Sequence, residues 1–313
     1  MMICSGIIIL LSVVLSRISD NSNYSNKCLT IPRIISNESF YDVINKICEY
    51  IERSKYEVII CASKVENITT LNRILLSLGI AQSNGAKIRF ITPYISHFKT
   101  NTVFLEMKRT ASINFVISDS DVFGYFPLFL NASSFSMHQY IMSSDCSYLI
   151  DAFRKIGLET LEYVKGFRSR TQRIGESNGL YAFSNDIEGQ FYQYNASFVF
   201  QKVPQCKNIT FVVDQVPSPY LDELHYKVSV SSLILQYAQL GKNVTIQIPE
   251  NGVFLENKWI QVLMAFQSIS FIQYPTSYHP INSVLCDEAS ILFSHTLKGF
   301  VFENHFGIHL YIP

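Results

Sequence analysis

Two kinds of pattern alternate along this chain, short continuous apolar runs and stretches of helical periodicity, and the alternation occurs twice. Glu57–Ser63 (EVIICAS) is an apolar run of strand length, the pattern of a strand covered on both faces. Between Thr70 and about Gly79, Leu71, Ile74, Leu75 and Leu78 fall at i, i+3, i+4 and i+7, which predicts an amphipathic helix. Lys87–Thr92 predicts a strand ended by Pro93, and a second helix is predicted near Val103–Lys108. The unit closes on the strand-like octapeptide Ser112–Asp119 (SINFVISD).

From Asn208 the order recurs. Asn208–Asp214 predicts a strand, Val228–Gly241 a helix, Asn243–Ile248 a strand ended by Pro249, Asn257–Phe266 a helix and Ile269–Tyr274 a strand. A second octapeptide follows, Pro280–Asp287 (PINSVLCD), sharing I-N-x-V-x-x-D with the first, four identities in eight positions. The offset between matching elements grows from 151 (Glu57 to Asn208) through 156 (Lys87 to Asn243) to 168 (Asp119 to Asp287), as loop insertions produce. This alternation predicts an α/β fold of two pseudo-symmetric repeats, each a mixed β-sheet flanked by helices. The repeats are placed at residues 33–165 and 187–313. Polar Arg168–Asn185, with Gly175 and Gly179, reads as the linker between them, bounded at 166–186.

Composition narrows the class. With 48% hydrophobic and 16% charged residues, the 313-residue chain has material for a large core and is neither disordered nor a coiled coil. Its 25 basic and 25 acidic residues cancel, and no Lys/Arg-rich run stands out. Composition therefore carries no electrostatic footprint for nucleic acid, though a local basic groove stays open.

The start predicts export. Gly6–Leu15 (GIIILLSVVL) is apolar apart from Ser12 and too short to span a bilayer comfortably. Val14 and Ser16 have the size for −3 and −1 of a cleavage site, giving a signal peptide over residues 1–16, although its first residues lack Lys and Arg. A buried strand or an uncleaved anchor is the alternative. No later segment is long and apolar enough for a transmembrane helix. Seven Asn-x-Ser/Thr sequons agree with export, at Asn23, Asn37, Asn67, Asn131, Asn195, Asn208 and Asn243. The expected address is the exterior or the endomembrane lumen. Without Cys4, six cysteines remain: Cys28, Cys48, Cys61, Cys146, Cys206 and Cys286. Such an even number permits disulfides in an oxidising compartment, in fifteen full pairings. They are spread too widely for a metal site. For Cys61 and Cys286, in apolar strand-like runs, a buried free thiol is the alternative.

A duplicated α/β unit, each copy carrying strand–x4–Asp and then another short strand, resembles the phospholipase D superfamily. Its signature is H-x-K-x4-D once per half, followed seven residues after the Asp by G-S-x-N. The resemblance covers the chain after about residue 33. It looks nearest to the animal branch holding lysosomal exonucleases, an inactive member and related poxviral envelope proteins. Met137–Phe153 is similar to the strand, cysteine and helix that follow the first motif in that branch, and Phe211–Pro219 to its strand leading into a Pro-containing loop. Phe302–Ile312 resembles its closing F-x-N-x-x-G-[IV] strand.

The motifs themselves depart from the family. Ser112 and Asn114 stand at the His and Lys positions of the first, Pro280 and Asn282 at those of the second. The G-S-x-N positions hold Phe126–Phe129 and Ser294–Leu297, so only Asp119 and Asp287 survive. In the family, one His attacks phosphorus to form a phosphohistidine and the other protonates the leaving oxygen. The Lys, Asn and Ser groups neutralise charge on the equatorial oxygens. Neither Pro nor Ser supplies an imidazole's nucleophilicity or near-neutral pKa, and losing a nucleophile costs roughly 10⁴–10⁶ in rate. The inherited mechanism is expected not to run.

Substitutes are few. His279 precedes Pro280, and a one-residue slip on a strand turns a side chain to the opposite face unless the loop ends there. It is the replacement that the alternative reading needs, an active phosphodiesterase on phospholipid or single-stranded nucleic acid. His225-Tyr-Lys227 imitates H-x-K but has Ser232 in place of Asp and leads into a helix. His305 and His309, spaced i, i+4, would bind metal on a helix, but on the strand-like terminus they lie about 13 Å apart. His97, His138 and His295 have no partner pattern. Asp119 and Asp287, at strand ends, are expected to cap tight turns. Asn114 and Asn282 need hydrogen-bond partners if buried and are expected to face one another across the former active-site cleft. The whole predicts a secreted pseudoenzyme that binds a protein, lipid or nucleic-acid ligand in that cleft, with no cofactor and no metal.

Overall fold

The computed structural model describes residues 32–62, 68–92, 104–106, 110–111, 114–124, 137–161, 172–177, 180–185, 205–213, 230–250, 258–287, 289–293 and 305–312. The signal peptide over residues 1–16 and the sequons at Asn23, Asn67, Asn131 and Asn195 lie outside them.

Strand β1 (Arg33–Ser39) leads straight into helix α1 (Phe40–Arg53). Ser39 starts that helix: its Oγ accepts the Asp42 N–H at 3.3 Å and donates to the Asp42 carboxylate at 2.6 Å. Phe40, Val43, Ile44, Ile47, Cys48 and Ile51 form its buried stripe. Next come β2 (Glu57–Cys61), α2 (Ile68–Ser83), β3 (Lys87–Thr92), β4 (Phe104–Glu106) and the two-residue β5 (Thr110–Ala111). The first repeat ends with β6 (Phe115–Ser118), β7 (Asp121–Gly124), β8 (Met137–Ser144) and α3 (Ser147–Leu161). After β9 (Gln172–Ser177) and β10 (Leu180–Asn185), the second repeat runs β11 (Asn208–Val212), α4 (Val230–Gln239), β12 (Asn243–Pro249), α5 (Lys258–Met264) and β13 (Ile269–Tyr274). It closes with β14 (Tyr278–His279), β15 (Ser283–Cys286), β16 (Ala289–Phe293) and β17 (His305–Ile312).

The first sheet runs β1-β8-β7-β6-β2-β3-β4 and the second β9-β10-β17-β16-β15-β11-β12-β13. From β1 and β10 to β4 and β13 the two orders coincide strand by strand. In both, the last three strands are parallel and the other neighbours antiparallel. The helix ends match too. Beyond α2 and α4 stand Gly85 (φ 97°) and Gly241 (φ 72°), whose left-handed backbone lets the next amide reach back. Ala86 N–H meets the Ala81 carbonyl and Lys242 N–H the Tyr237 carbonyl, each at 3.0 Å. The pseudo-symmetric two-repeat α/β fold predicted from the sequence is present.

One local expectation is corrected. Val103–Lys108, expected as a helix, carries β4, which adds a parallel strand to β3 (Phe90↔Phe104 to Thr92↔Glu106). It is the counterpart of β13, and a vacant sheet position outweighs the weak helical preference of so short a run. The stretch expected to be a linker, 166–186, contributes the hairpin β9–β10, whose second strand pairs with β17 (Tyr181↔Tyr311 to Asn185↔Gly307). That ladder comes from the far end of the chain, and polar composition does not reveal it.

The core is layered. Helices α1 and α2 cover one face of the first sheet, burying Val58, Ile60, Phe90, Val116, Phe123 and Tyr140. The opposite face, with Ile59, Ile91, Phe115, Ile117 and Ile141, packs on Leu149, Ile150 and Phe153 of α3 and on Ile281 and Leu292 of the second repeat. Gly157 lets α3 approach, since a Cβ there would lie 3.1 Å from Ile91 Cδ1 and 3.3 Å from Phe115 Cζ. Helices α4 and α5 cover the far face of the second sheet through Ile234, Tyr237 and Leu263. A disulfide joins Cys206, before β11, to Cys286 at the end of β15, so Cys286 is not a free thiol. Cys146 is disulfide-bonded as well. Cys48 and Cys61 are buried thiols outside any disulfide, and burial raises the Cys48 thiol pKa, which disfavours the reactive thiolate.

Candidate functional site at the junction of the repeats

Each octapeptide forms the first strand of a hairpin inside its sheet, β6–β7 or β15–β16. Asp119 sits in the β6–β7 turn with φ 50°, a left-handed conformation that Asp adopts more readily than most residues. Its carboxylate reaches out of that turn to the start of β2. Oδ2 accepts the Lys55 N–H at 2.8 Å, and Oδ1 accepts those of Tyr56 at 3.0 Å and Glu57 at 2.8 Å. Asp287 does the same for β11: Oδ2 accepts the N–H groups of Lys207 at 2.9 Å and Asn208 at 3.1 Å, and Oδ1 accepts Asn208 Nδ2 at 3.0 Å. These bonds, led by the Asn208 side chain, hold the Asp287 carboxyl below its ordinary pKa. Both aspartates were expected to cap tight turns through backbone N–H groups; the N–H groups they accept stand at the start of a neighbouring strand, β2 or β11. Asp119→Ala should therefore free three backbone donors and cost about 2 kcal/mol. Asp119→Asn, which keeps one acceptor oxygen, should cost less, as urea unfolding would read.

The segment before each hairpin crosses to the other repeat. β5 pairs in parallel with β17 (His305↔Thr110, Phe306↔Ala111), and β14 pairs in parallel with β8 (Tyr278↔Met137, His279↔His138). The two positions where the family would place its histidines, 112 and 280, directly follow these exchanged strands. Ser112 lies outside the described residues, and Pro280 is half-buried. Further bonds tie β14 down. Met137 N–H donates to the Ser277 carbonyl at 2.7 Å, and Ile281 N–H donates to Gln139 Oε1 at 3.0 Å. Gln139 Nε2 donates to Ser36 Oγ at 3.1 Å. The Tyr278 hydroxyl is hydrogen-bonded to Ser36 and Gln139, while burial raises its pKa. Gln139 escaped the sequence reading because no local pattern marks a side chain whose partner is 142 residues away.

Register partners share a face of a sheet, so His279 lies on the face used by Tyr140 and Glu38, which α1 covers further along. It is exposed, and partial desolvation lowers its imidazole pKa. Asn114 and Asn282 stand immediately before β6 and β15, both half-buried. His305 and His309 lie on β17, a strand as expected. Of the sequons, Asn37 lies in β1, while Asn208 and Asn243 are exposed register neighbours whose side chains bond at 3.0 Å, Asn243 Nδ2 donating to Asn208 Oδ1. Residues 126–129 and 294–297, His97, His225, Lys227 and His295 lie outside the described residues. Among the described residues no cluster of three or more His, Cys, Asp or Glu is placed to hold a metal ion. No described helix is long and apolar enough to cross a membrane.

No protein-family model and no curated protein matches the sequence. Solved structures match by fold. A phosphatidylserine synthase from Haemophilus influenzae Rd KW20 is 11% identical, with 95% of this chain and 86% of that one covered at a TM-score of 0.61. A polyphosphate kinase from Porphyromonas gingivalis is 8% identical, with 90% of this chain and 47% of that one covered at 0.57. Nuc from Salmonella typhimurium, a phospholipase D family member, is 13% identical, with 41% of this chain and 93% of that one covered at 0.33. The class is thus a two-repeat α/β fold with two mixed sheets flanked by helices. More narrowly, it is the fold shared with that phosphatidylserine synthase. At these identities the likeness is one of fold alone.

Proposed function

We propose that this protein is an exported, glycosylated phospholipase D-like pseudoenzyme, a binding protein that does not cleave phosphodiesters. Pro280 carries the reading. Directly behind the exchanged strand β14, where the second motif needs an imidazole, stands a ring with no proton to give or take. Asn114 and Asn282 in place of Lys keep a hydrogen-bond donor and lose the positive charge that phosphoryl transfer uses. Asp119 and Asp287 have a structural reason to persist, since each braces an inner strand of its sheet. His279 is committed to pairing with β8 and to the Glu38 face, which supports the inactive reading over one that recruits it. The order of β8, disulfide-bonded Cys146 and α3 supports a relation to the animal lysosomal exonuclease branch. The ligand class is a protein, lipid or nucleic acid bound where the cleft of an active relative would be.

Purified protein would be offered phosphatidylcholine, single-stranded DNA, RNA and a chromogenic phosphodiester. Turnover should stay at least roughly 10⁴-fold below that of an enzyme with both motifs intact. Activity that disappears in His279→Ala would overturn the proposal. Export is checked by digestion with an N-glycosidase: the mass of the secreted protein should fall, and an unchanged mass counts against it.

A further inference from the structure

We propose that two copies of this chain pair edge to edge through β13, antiparallel about a two-fold axis, with α5 of each copy closing the seam. Four strands end the two sheets, β1 and β4 in the first and β9 and β13 in the second. An open strand edge invites another strand, and folds blunt it with charge, shortness or a break in register. β1 carries Arg33 and Glu38, and its register breaks between Ile35 and Glu38. β4 is three residues ending on Glu106, and β9 carries Arg173 and Glu176. β13 (ISFIQY) has six residues in unbroken register with β12, no charge and no proline. Among the described residues it is the unguarded edge.

The surroundings of that edge are exposed and apolar. Ile272 on the strand is 50% exposed, and Val262 and Met264 of α5, the helix lying over β13, are 47% and 55% exposed. Ser270 and Gln273 are exposed too, while Phe271 packs into the core beneath α4 and α5. Along the ladder, Val244 N–H meets the Ser268 carbonyl and Glu250 N–H the Tyr274 carbonyl, so even-numbered residues of β13 turn their backbone groups to β12. The amide and carbonyl of Gln273 therefore point away from β12.

These features favour a second copy over a lone extended segment. A single added strand would cover the ladder but leave Val262 and Met264 in water. A fitting partner brings a strand with a helix over it, and this chain carries that pair itself. A two-fold axis perpendicular to the sheet near Ile272 keeps like faces together. Ile272 then meets its counterpart on one side, and α5 lies beside its counterpart on the other. The chain has no net charge, and β13 with Gln261, Val262 and Met264 is uncharged, so like meets like without repulsion. The edge is about 20 Å long and two layers, about 20 Å, deep, which gives roughly 400 Å² per copy and 800 Å² per pair. Stable complexes bury roughly 1,200 Å² or more, so this dimer is reversible and fills at high concentration. The pairing does not depend on whether the protein is exported or inactive.

The experiment is sedimentation equilibrium of the full chain at about 1–200 µM, the range in which a small interface fills. The average mass should rise with concentration from that of one chain toward that of two. Ile272→Lys and Met264→Glu set like charges across the axis and should each weaken association about tenfold or more. Gln273→Pro removes an amide that makes no bond to β12 and should weaken it as much. All three positions are exposed, so melting temperatures at low concentration should stay within about 3 °C of wild type. Hydrogen exchange at the Gln273 amide should slow as wild-type protein is concentrated. The proposal is overturned if the mass stays that of one chain throughout, as it would if the edge served only an extended segment of another protein. Growth past two chains, or a folded variant that associates as wild type does, overturns it as well. Should one variant fail to fold, the other two still decide.

Discussion

Replacing Cys206 and Cys286 together by serine is expected to cost about 4 kcal/mol of stability and to sharply lower the yield of folded protein. The bond closes a separation of 80 residues, and on the loop-length scale such a crosslink removes roughly 4.5 kcal/mol of chain entropy from the unfolded state. Its placement argues for the upper part of the usual range. Cys286 is the register partner of Ile209, and the next residue, Asp287, accepts the amides of Lys207 and Asn208. Covalent bond and carboxylate brace therefore pin the same two strands, β11 and β15. Urea unfolding of the double variant against wild type measures the loss; a difference below about 1 kcal/mol would mean that the brace and ladder suffice.

Phe115→Ala should cost about 3–5 kcal/mol, the range for emptying a fully buried aromatic site. The ring is 0% exposed and meets Phe153 of α3 at a centroid distance of 5.0 Å and an interplanar angle of 59°. Gly157 is the close approach that seats α3 there, so the helix cannot move further in to fill the space without meeting Ile91. Ile281 and Leu292 of the second repeat belong to the same cluster. Part of the loss should therefore appear at the junction of the repeats. Hydrogen exchange is the second readout: amides of β14 and β15 should lose protection along with those of β6, and an effect confined to β6 and α3 would sink this account of the junction.

Much of the repeat was legible because its elements are specified locally. The apolar runs at β2 and β11 and the i, i+3, i+4, i+7 spacing of α2 give the same elements in sequence and structure. Strands β3 and β13 even begin and end where the pattern places them. What escaped is what a distant partner specifies. β4 is three residues laid against β3, and β9–β10 is held by β17. β5 and β14 are two residues each and exist because the other repeat offers an edge. The site divides in the same way. The departures at 112, 114, 280 and 282 are visible by counting, whereas the long reach of Asp119 and Asp287, the role of Gln139 and the pairing of His138 with His279 come from contacts between residues far apart in sequence. The Cys206–Cys286 pairing was likewise only one of the combinations the cysteine count allowed.

The reciprocal loan of β5 and β14 sets a timetable for synthesis. Thr110 and Ala111 leave the ribosome long before His305 and Phe306, the strand they complete, have been made. The mirror loan, Tyr278 and His279 to Met137 and His138, is also settled late. The first repeat can collapse around α1 and α2 as it emerges, but it waits nearly the whole length of the chain for its last ladder bonds. Throughout that interval the inner face carrying Ile59, Phe115 and Ile141 lacks Ile281 and Leu292. A nascent first repeat of this protein is thus a natural client for chaperones of the compartment in which it folds, and a truncated product ending before β14 is one that quality control should retain.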